Sequence, residues 1–68
     1  MDTLKALQVF VEVARQGGFA AAAKTLGLSP SSVSRHVVNL EDMFGVQLFH
    51  RTTRNLSLTS AGEDVLGQ

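Results

Sequence analysis

Apolar residues recur at helical spacing in three successive stretches of the chain. In the first, residues 2–16, they cover an arc of about 220°, which is roughly twice what one packed face requires. The stripe through Leu4, Leu7, Val11 and Ala14, with Phe10 alongside, is expected to face the core. Val9 and Val13 form a surplus flank, which serves either ordinary lateral packing or docking of another segment. Gly17 and Gly18 end this helix, because glycine favours the left-handed cap.

The second stretch, 19–26, predicts a short alanine-rich helix that ends at Gly27. Alanine favours helix because it has no side-chain entropy to lose, and its small size lets another helix cross closely. Its inner stripe consists of Phe19, Ala22, Ala23 and Leu26, and Leu28 returns to the core. A generic helical hairpin is the alternative. The spacing of Ala23, Gly27 and the following apolar residues favours a helix-turn-helix motif over 19–38.

The third helix is predicted over 30–44, with Ser29 as N-cap, Pro30 as first helical residue and Gly45 as the stop. Its apolar stripe consists of Val33, Val37, Leu40 and Phe44, and its opposite face of Ser31, Arg35 and Asn39. Ser31, Ser34 and Arg35 lie early in the helix, whereas Glu41 and Asp42 lie late. Phosphates repel carboxylates, so only the N-terminal half of this helix suits a DNA groove.

After Gly45 the pattern changes to that of a β-hairpin, with strands over 47–51 and 55–58 around a turn at 52–55. Arg51 and Arg54 lie near its tip, and a solvated loop is the alternative. Thr59 or Ser60 then caps a fourth helix, in which Ser60 and Glu63 have capping-box spacing. Only about two turns of this helix are present, too few for a stable free helix. The sequence is therefore expected to stop within a longer helix.

Composition limits the class of protein. A chain of 68 residues with 44% hydrophobic residues makes one small domain, and it contains no cysteine for disulfides or thiolate metal sites. No apolar run approaches the roughly 20 residues that span a bilayer. We expect a soluble cytoplasmic protein without membrane contact.

The net charge is zero, with six basic and six acidic residues, whereas many DNA-binding domains are strongly basic. The charges are unevenly distributed. Between residues 24 and 54 the cations are Lys24, Arg35, Arg51 and Arg54, and the acids are Glu41 and Asp42. The sequence predicts a modest basic surface and weak affinity for the isolated domain.

The chain closely resembles the N-terminal domain of LysR-type transcriptional regulators over essentially its whole length. The motifs that carry the resemblance are Phe10 with Ala14, GGF-AAAA-LGLS, Val33-Ser34-Arg35, Leu40-Glu41, Gly45-Val-x-Leu-Phe-x-Arg51 and Leu58-Thr59-x-Ala61-Gly62. The implied fold is mainly α with a small β-hairpin: a winged helix-turn-helix with a three-helix core, a two-stranded wing and the start of a linker helix. By this resemblance residues 1–59 form the DNA-binding domain, the wing covers about 47–58, and 60–68 begin a truncated linker helix.

The resemblance implies a bacterial regulator that binds double-stranded promoter DNA as a homodimer formed through the linker helix. A small-molecule effector would bind only a C-terminal domain, and no cofactor is implied for this domain. By the same resemblance Ser29, Pro30, Ser31, Ser34 and Arg35 face the major groove or its phosphates. Arg51 resembles a phosphate contact at the base of the wing, and Arg54 a wing residue that approaches the minor groove. Val9 and Val13 are well placed to meet the linker helix.

The sequence departs from the family pattern in three places. Gly18 and Ala20 stand where serine and threonine are common, which removes a helix cap. Pro30 replaces a base-reading glutamine and cannot donate a hydrogen bond, so the target site need not be the family's commonest one. Ser60 stands where proline is usual, a neutral change.

Two other classes of function are considered. An enzyme is disfavoured, because there is no metal-ligand spacing and no phosphate-binding glycine loop, and the chain has only two histidines, His36 and His50, for acid–base chemistry. A winged-helix protein-interaction module without DNA binding agrees with the neutral charge. Ser34, Arg35, Arg51 and Arg54 favour DNA binding instead.

Overall fold

A computed structural model describes residues 3–51 and 56–67 of the chain. Its elements are, in order, α1 (Thr3–Gln16), α2 (Phe19–Leu26), α3 (Pro30–Phe44), β1 (Phe49–Arg51), β2 (Leu56–Leu58) and α4 (Ser60–Leu66). The strands pair antiparallel, with Phe49 opposite Leu58 and Arg51 opposite Leu56. The predicted helices and hairpin are confirmed. Asp2, where the first helix was predicted to begin, and the turn at 52–55 lie outside the described residues.

Glycines in the left-handed conformation end α2 and α3. Gly27 has φ +71°, and the Leu28 amide donates to the Ala23 carbonyl at 2.9 Å. Gly45 also has φ +71°, and its amide donates to the Glu41 carbonyl at 2.8 Å. A side chain at either glycine would strain the backbone. These glycines therefore allow the chain to turn sharply where each helix ends.

The core lies between the three helices and is closed by the first residues of the wing. The fully buried apolar residues are Ala6, Val9, Phe10, Val13, Ala22, Ala23, Val33, Val37, Leu40, Leu48 and Phe49. The two alanines of α2 let that helix approach its neighbours closely. Phe49 packs its ring 5.3 Å from that of Phe10 and 6.1 Å from that of Phe19 (centroid distances). Such pairs contribute about 0.5–1.5 kcal/mol beyond area burial, so they tie β1 to α1 and α2.

Of the two roles left open for Val9 and Val13, packing is confirmed, whereas the predicted core-facing position of Leu4 and Val11 is wrong. Val9 and Val13 are fully buried, whereas Leu4 is 66% exposed and Val11 is also exposed. Both stripes have helical spacing, but α1 packs against α2 and α3 through the stripe that contains Ala6, Val9, Phe10 and Val13. Val9 and Val13 therefore do not form a free docking flank. The surplus apolar edge contains Leu4, Leu7 and Val11.

The apolar stripe of α3 also ends earlier than predicted. Phe44 is 43% exposed, and Glu41 is buried with 8% exposure. Leu48 and Phe49 fill the core beneath the last turn of the helix. The Phe44 side chain therefore stays on the surface. The inward position is taken by a carboxyl group that binds the backbone of the next segment.

Strand β1 is shorter than the predicted 47–51, and the predicted capping box is wrong. Gln47 and Leu48 lie outside the strand because their backbone groups bind Thr59 and Glu41 instead of β2. Thr59 is the N-cap of α4, and its hydroxyl accepts the Gly62 amide at 3.0 Å. Ser60 is the first helical residue, so Ser60 and Glu63 do not stand at N-cap and N3.

Within the described ranges, the structure contains no helix both long and apolar enough to cross a membrane.

Candidate nucleic-acid interface

The first turn of α3 presents several hydroxyl groups. Ser29 caps the helix as predicted, and its Oγ accepts the Ser32 amide at 3.2 Å. Its hydroxyl also donates to Ser32 Oγ at 3.0 Å and lies 3.2 Å from Ser31 Oγ. Ser29, Pro30 and Ser31 are exposed. This turn therefore combines a positive macrodipole end with exposed, rotatable hydroxyls, a combination that suits phosphate oxygens.

The outward face of α3 continues along the helix at i, i+3 and i+4 spacing. Ser31 and Arg35 are exposed, and Ser34 is half-buried. Val38, one turn further, is 40% exposed and was not recognised from the sequence as part of this face. Five predicted residues thus lie together at the N-terminal end of α3 and its cap, and most of them are exposed: 29–31 and 34–35. An α-helix of this kind fits the major groove of B-DNA.

The predicted wing contains two arginines, Arg51 and Arg54. Arg51 lies in β1, where its backbone pairs with Leu56. Arg54 lies outside the described residues. Strand β1 begins close to the C-terminal end of α3, because only four residues separate Phe44 from Phe49.

Glu41 is the residue whose role sequence reasoning missed. The pattern treats it as a carboxylate that would repel phosphates, but its Oε2 accepts the Leu48 amide at 2.8 Å and the Phe49 amide at 3.3 Å. Two signals in the sequence could have indicated this role: Glu41 interrupts the apolar stripe shortly before the glycine that ends the helix, and Leu40-Glu41 is one of the motifs of the family resemblance.

Thr59 and Gly62 hold the other side of the same connection. The Thr59 hydroxyl donates to the Gln47 carbonyl at 2.6 Å, and the Thr59 amide donates to the Leu48 carbonyl at 3.0 Å. Gly62 is buried directly against that Leu48 carbonyl. The start of α4 is therefore fixed to the segment that joins α3 to the wing.

The two histidines do not form a metal site among the described residues. His50 is exposed, and His36 is half-buried with an Nδ1 that has no hydrogen-bond partner. Within 3–51 and 56–67 no three side chains of the metal-ligating types lie together.

Gly18, at the N-cap of α2, provides no side-chain cap, in agreement with the expected loss of that cap.

A helix-turn-helix formed by α2 and α3, braced by α1 and followed by a two-stranded wing, defines a winged helix-turn-helix protein. The profile of the bacterial regulatory helix-turn-helix protein, lysR family, matches residues 4–63. The chain belongs to this family.

Two curated relatives show the extent of the similarity. The chain is 52% identical over 64 residues to the uncharacterized HTH-type transcriptional regulator y4mQ of Sinorhizobium fredii, covering 94% of this chain and 22% of y4mQ. It is 48% identical over 65 residues to the HTH-type transcriptional regulator DmlR of Escherichia coli, covering 96% of this chain and 21% of DmlR. The chain thus spans about a fifth of the length of these relatives. Both are regulators by name, in agreement with the expectation of a regulator rather than an enzyme.

Solved structures agree with the fold. The chain matches the protein in the CbnR DBD–DNA complex with a TM-score of 0.90 at 39% identity, covering 98% of this chain and 76% of that one. It matches the BenM DBD in a complex with catB site 1 DNA with a TM-score of 0.90 at 31% identity, covering 98% of this chain and 73% of that one. The winged helix-turn-helix fold predicted from the sequence is confirmed.

Proposed function

We propose that this chain binds double-stranded promoter DNA sequence-specifically, as the DNA-recognition domain of a LysR-type transcriptional regulator. The N-terminal half of α3 enters the major groove, and the wing touches the backbone or minor groove. The observation that carries this proposal is the outward face of α3, where Ser31, Ser34 and Arg35 follow an exposed, hydroxyl-rich N-terminal turn. The proteins with the same fold in the CbnR and BenM complexes are bound to DNA.

The roles of the individual residues follow from their chemistry. Arg35 has the length and the planar donors to bind guanine bidentately, and Ser31 and Ser34 bind bases or phosphates. Val38 offers an apolar surface of the kind that contacts thymine methyl groups. Ser29 and Pro30 lie against the backbone, and Arg51 and Arg54 bind phosphate and minor groove. Pro30 contributes shape alone, because it has no donor.

The functional unit we propose is a homodimer. One recognition helix covers only a few base pairs, and helix-turn-helix dimers read two half-sites about one helical turn apart. The zero net charge makes each domain a weak binder, so pairing supplies affinity that one copy lacks. We propose that residues 1–59 are the reading domain and that 60–68 begin the linker helix that joins two copies. In the full-length cytoplasmic regulator a small-molecule effector binds the C-terminal domain.

Arg35→Ala tests the base-reading role. If Arg35 pairs with a guanine, the substitution weakens binding to the preferred site by about 1–3 kcal/mol and reduces discrimination against other sites. Preferred sites are first selected from random DNA with the chain fused after α4 to a dimerising coiled coil. Affinities are then measured by fluorescence anisotropy. Arg15→Ala is the matched control, because Arg15 is an exposed arginine on α1, away from this face.

A salt titration separates DNA binding from a protein-interaction module. Phosphate neutralisation makes the logarithm of affinity fall linearly with the logarithm of salt concentration, by about 0.9 for each phosphate contacted. Arg51→Ala is expected to weaken binding to all sequences equally and to lower that slope by about 0.9 for each copy of the domain in the dimer. Binding that ignores salt, or no binding even by the dimerised chain, would overturn the proposed function in favour of a winged helix that binds protein.

A further inference from the structure

One residue at the end of the recognition helix binds most of the backbone that leads into the wing. The Glu41 carbonyl accepts the amides of Gly45 and Val46 at 2.8 and 3.3 Å. Its carboxylate Oε2 accepts the amides of Leu48 and Phe49 at 2.8 and 3.3 Å. Glu41 therefore accepts hydrogen bonds from four of the five backbone amides between residues 45 and 49.

The position of Glu41 is electrostatically unfavourable in two respects, unless its carboxylate has strong hydrogen-bond partners. Glu41 lies in the last turn of α3, where the negative end of the helix macrodipole disfavours an acid. It is also 8% exposed, and a carboxylate buried to that extent requires strong partners. The two amides supply such partners, and they belong to the residue before β1 and to the first residue of β1. The carboxylate thus fixes the start of the wing to the axis of α3.

Thr59 holds the same segment from its other side. It binds the carbonyls of Gln47 and Leu48, while Glu41 binds the amides of Leu48 and Phe49. Leu48 is fully buried between them. The segment 47–49 therefore has two of its amides bound to α3 and two of its carbonyls bound to Thr59 at the start of α4, which leaves it little freedom to shift.

We propose that Glu41 is a positioning residue for DNA binding: its side chain sets where the wing stands relative to the recognition helix, so that Arg51 reaches a phosphate while α3 occupies the groove. This inference rests on the proposed function. Arg51 lies two residues beyond Phe49 in β1, so a shift of the strand start moves it directly. Glu41 itself does not touch DNA.

Three substitutions separate hydrogen-bond geometry from charge. Glu41→Gln removes the charge but keeps an oxygen that can accept both amides. Glu41→Asp keeps the charge but is one methylene group shorter and does not reach both amides. Asp42→Asn removes a charge from the exposed neighbouring position and is the matched control.

The DNA assay uses the chain fused after α4 to the dimerising coiled coil, with its selected site, over a series of salt concentrations. For each copy of the domain, Glu41→Asp is expected to weaken binding about tenfold, comparable with the loss of one charge-assisted contact, and to lower the salt slope by about 0.9. Glu41→Gln is expected to bind within about twofold of Asp42→Asn, because both lose one negative charge near phosphates. Arg51→Ala should weaken the wild-type chain but add little in the Glu41→Asp background, whereas Arg35→Ala should weaken both equally. A substitution that only destabilised the fold would not reduce the effect of Arg51→Ala while leaving that of Arg35→Ala unchanged.

Amide hydrogen exchange gives a readout without DNA. The amides of Leu48 and Phe49 are expected to exchange faster in Glu41→Asp but not in Glu41→Gln, with Val37 in α3 as the reference for the folded state. Wild-type affinity and salt slope in Glu41→Asp, or equal Arg51→Ala effects in both backgrounds, would overturn the inference. Equal weakening by Glu41→Gln and Glu41→Asp would also overturn it, because charge would then be the cause. Failure of the unsubstituted chain to bind DNA even when it is dimerised would overturn the proposed function, and the role of Glu41 with it.

Discussion

Gly62→Ala is expected to destabilise this protein, although the same substitution stabilises most helices. Gly62 lies in the first turn of α4, and alanine has about 1 kcal/mol better helix propensity than glycine. Here the added methyl group would overlap the Leu48 carbonyl oxygen and would lie 2.9 Å from Leu58 Cδ2 and 3.1 Å from the Leu48 carbonyl carbon. The Leu48 side of this contact is backbone, which cannot rotate away.

The loss in free energy of unfolding can be worked out from the contacts that must change to accommodate the methyl group. Overpacking costs about 1–3 kcal/mol or more, and displacement of α4 also weakens the Thr59 cap, which contributes about 1 kcal/mol. After the gain in propensity, the net loss is about 2 kcal/mol. A chain of this length has a total free energy of unfolding of about 3–10 kcal/mol, so this loss is a large fraction of it. The expected fall in Tm is about 10 °C.

Thermal and urea denaturation followed by circular dichroism measure this effect. Ser60→Ala is the control, because Ser60 is exposed in the same turn and its substitution is expected to change stability by less than about 0.5 kcal/mol. A Gly62→Ala protein as stable as the wild type, or more stable, would refute the close approach of α4 to residue 48.

Three further substitutions test other local features. Gly18→Ser is expected to raise Tm by about 1–2 °C, because Gly18 is an extended N-cap without a side-chain bond and a Cβ there meets no atom within 4 Å. Val13→Ala is expected to cost about 2 kcal/mol and Val11→Ala much less, since Val13 is fully buried and Val11 is exposed; equal costs in urea denaturation would contradict the observed face of α1. Ser29→Ala is expected to cost about 1 kcal/mol through loss of the α3 cap, and an unchanged Tm would show that the Ser32 amide does not depend on it.

The sequence predicts those parts of the fold that depend on neighbouring residues. Gly27 and Gly45 end their helices because their left-handed conformation is a local requirement, and Ser29 caps α3 because its side chain reaches an amide three residues away. The outward position of Ser31 and Arg35 follows from the same local periodicity. These features need no knowledge of what the helix packs against.

Features that depend on tertiary contacts were not predictable from the sequence. The wide apolar arc of α1 contains two stripes of equal spacing, and only packing against α2 and α3 selects the one with Val9 and Val13. The inward turn of Glu41 and the exposure of Phe44 depend on where Leu48 returns to the core. The sequence left Thr59 and Ser60 open as the cap of α4; Thr59 is the cap, and its bonds to the Gln47 and Leu48 carbonyls are tertiary contacts that the local pattern does not contain.

The short connections between elements have a consequence for the speed of folding. Two residues join α1 to α2 and three join α2 to α3, and the bonds from Glu41 to Leu48 and from Thr59 to Gln47 span only 7 and 12 residues. Helix-rich domains with such low contact order fold in microseconds to milliseconds, because little loop-closure entropy is lost before contacts form. A temperature-jump experiment is expected to find relaxation in this range. A wing that opens transiently would therefore return to its place quickly compared with most regulatory events in a cell.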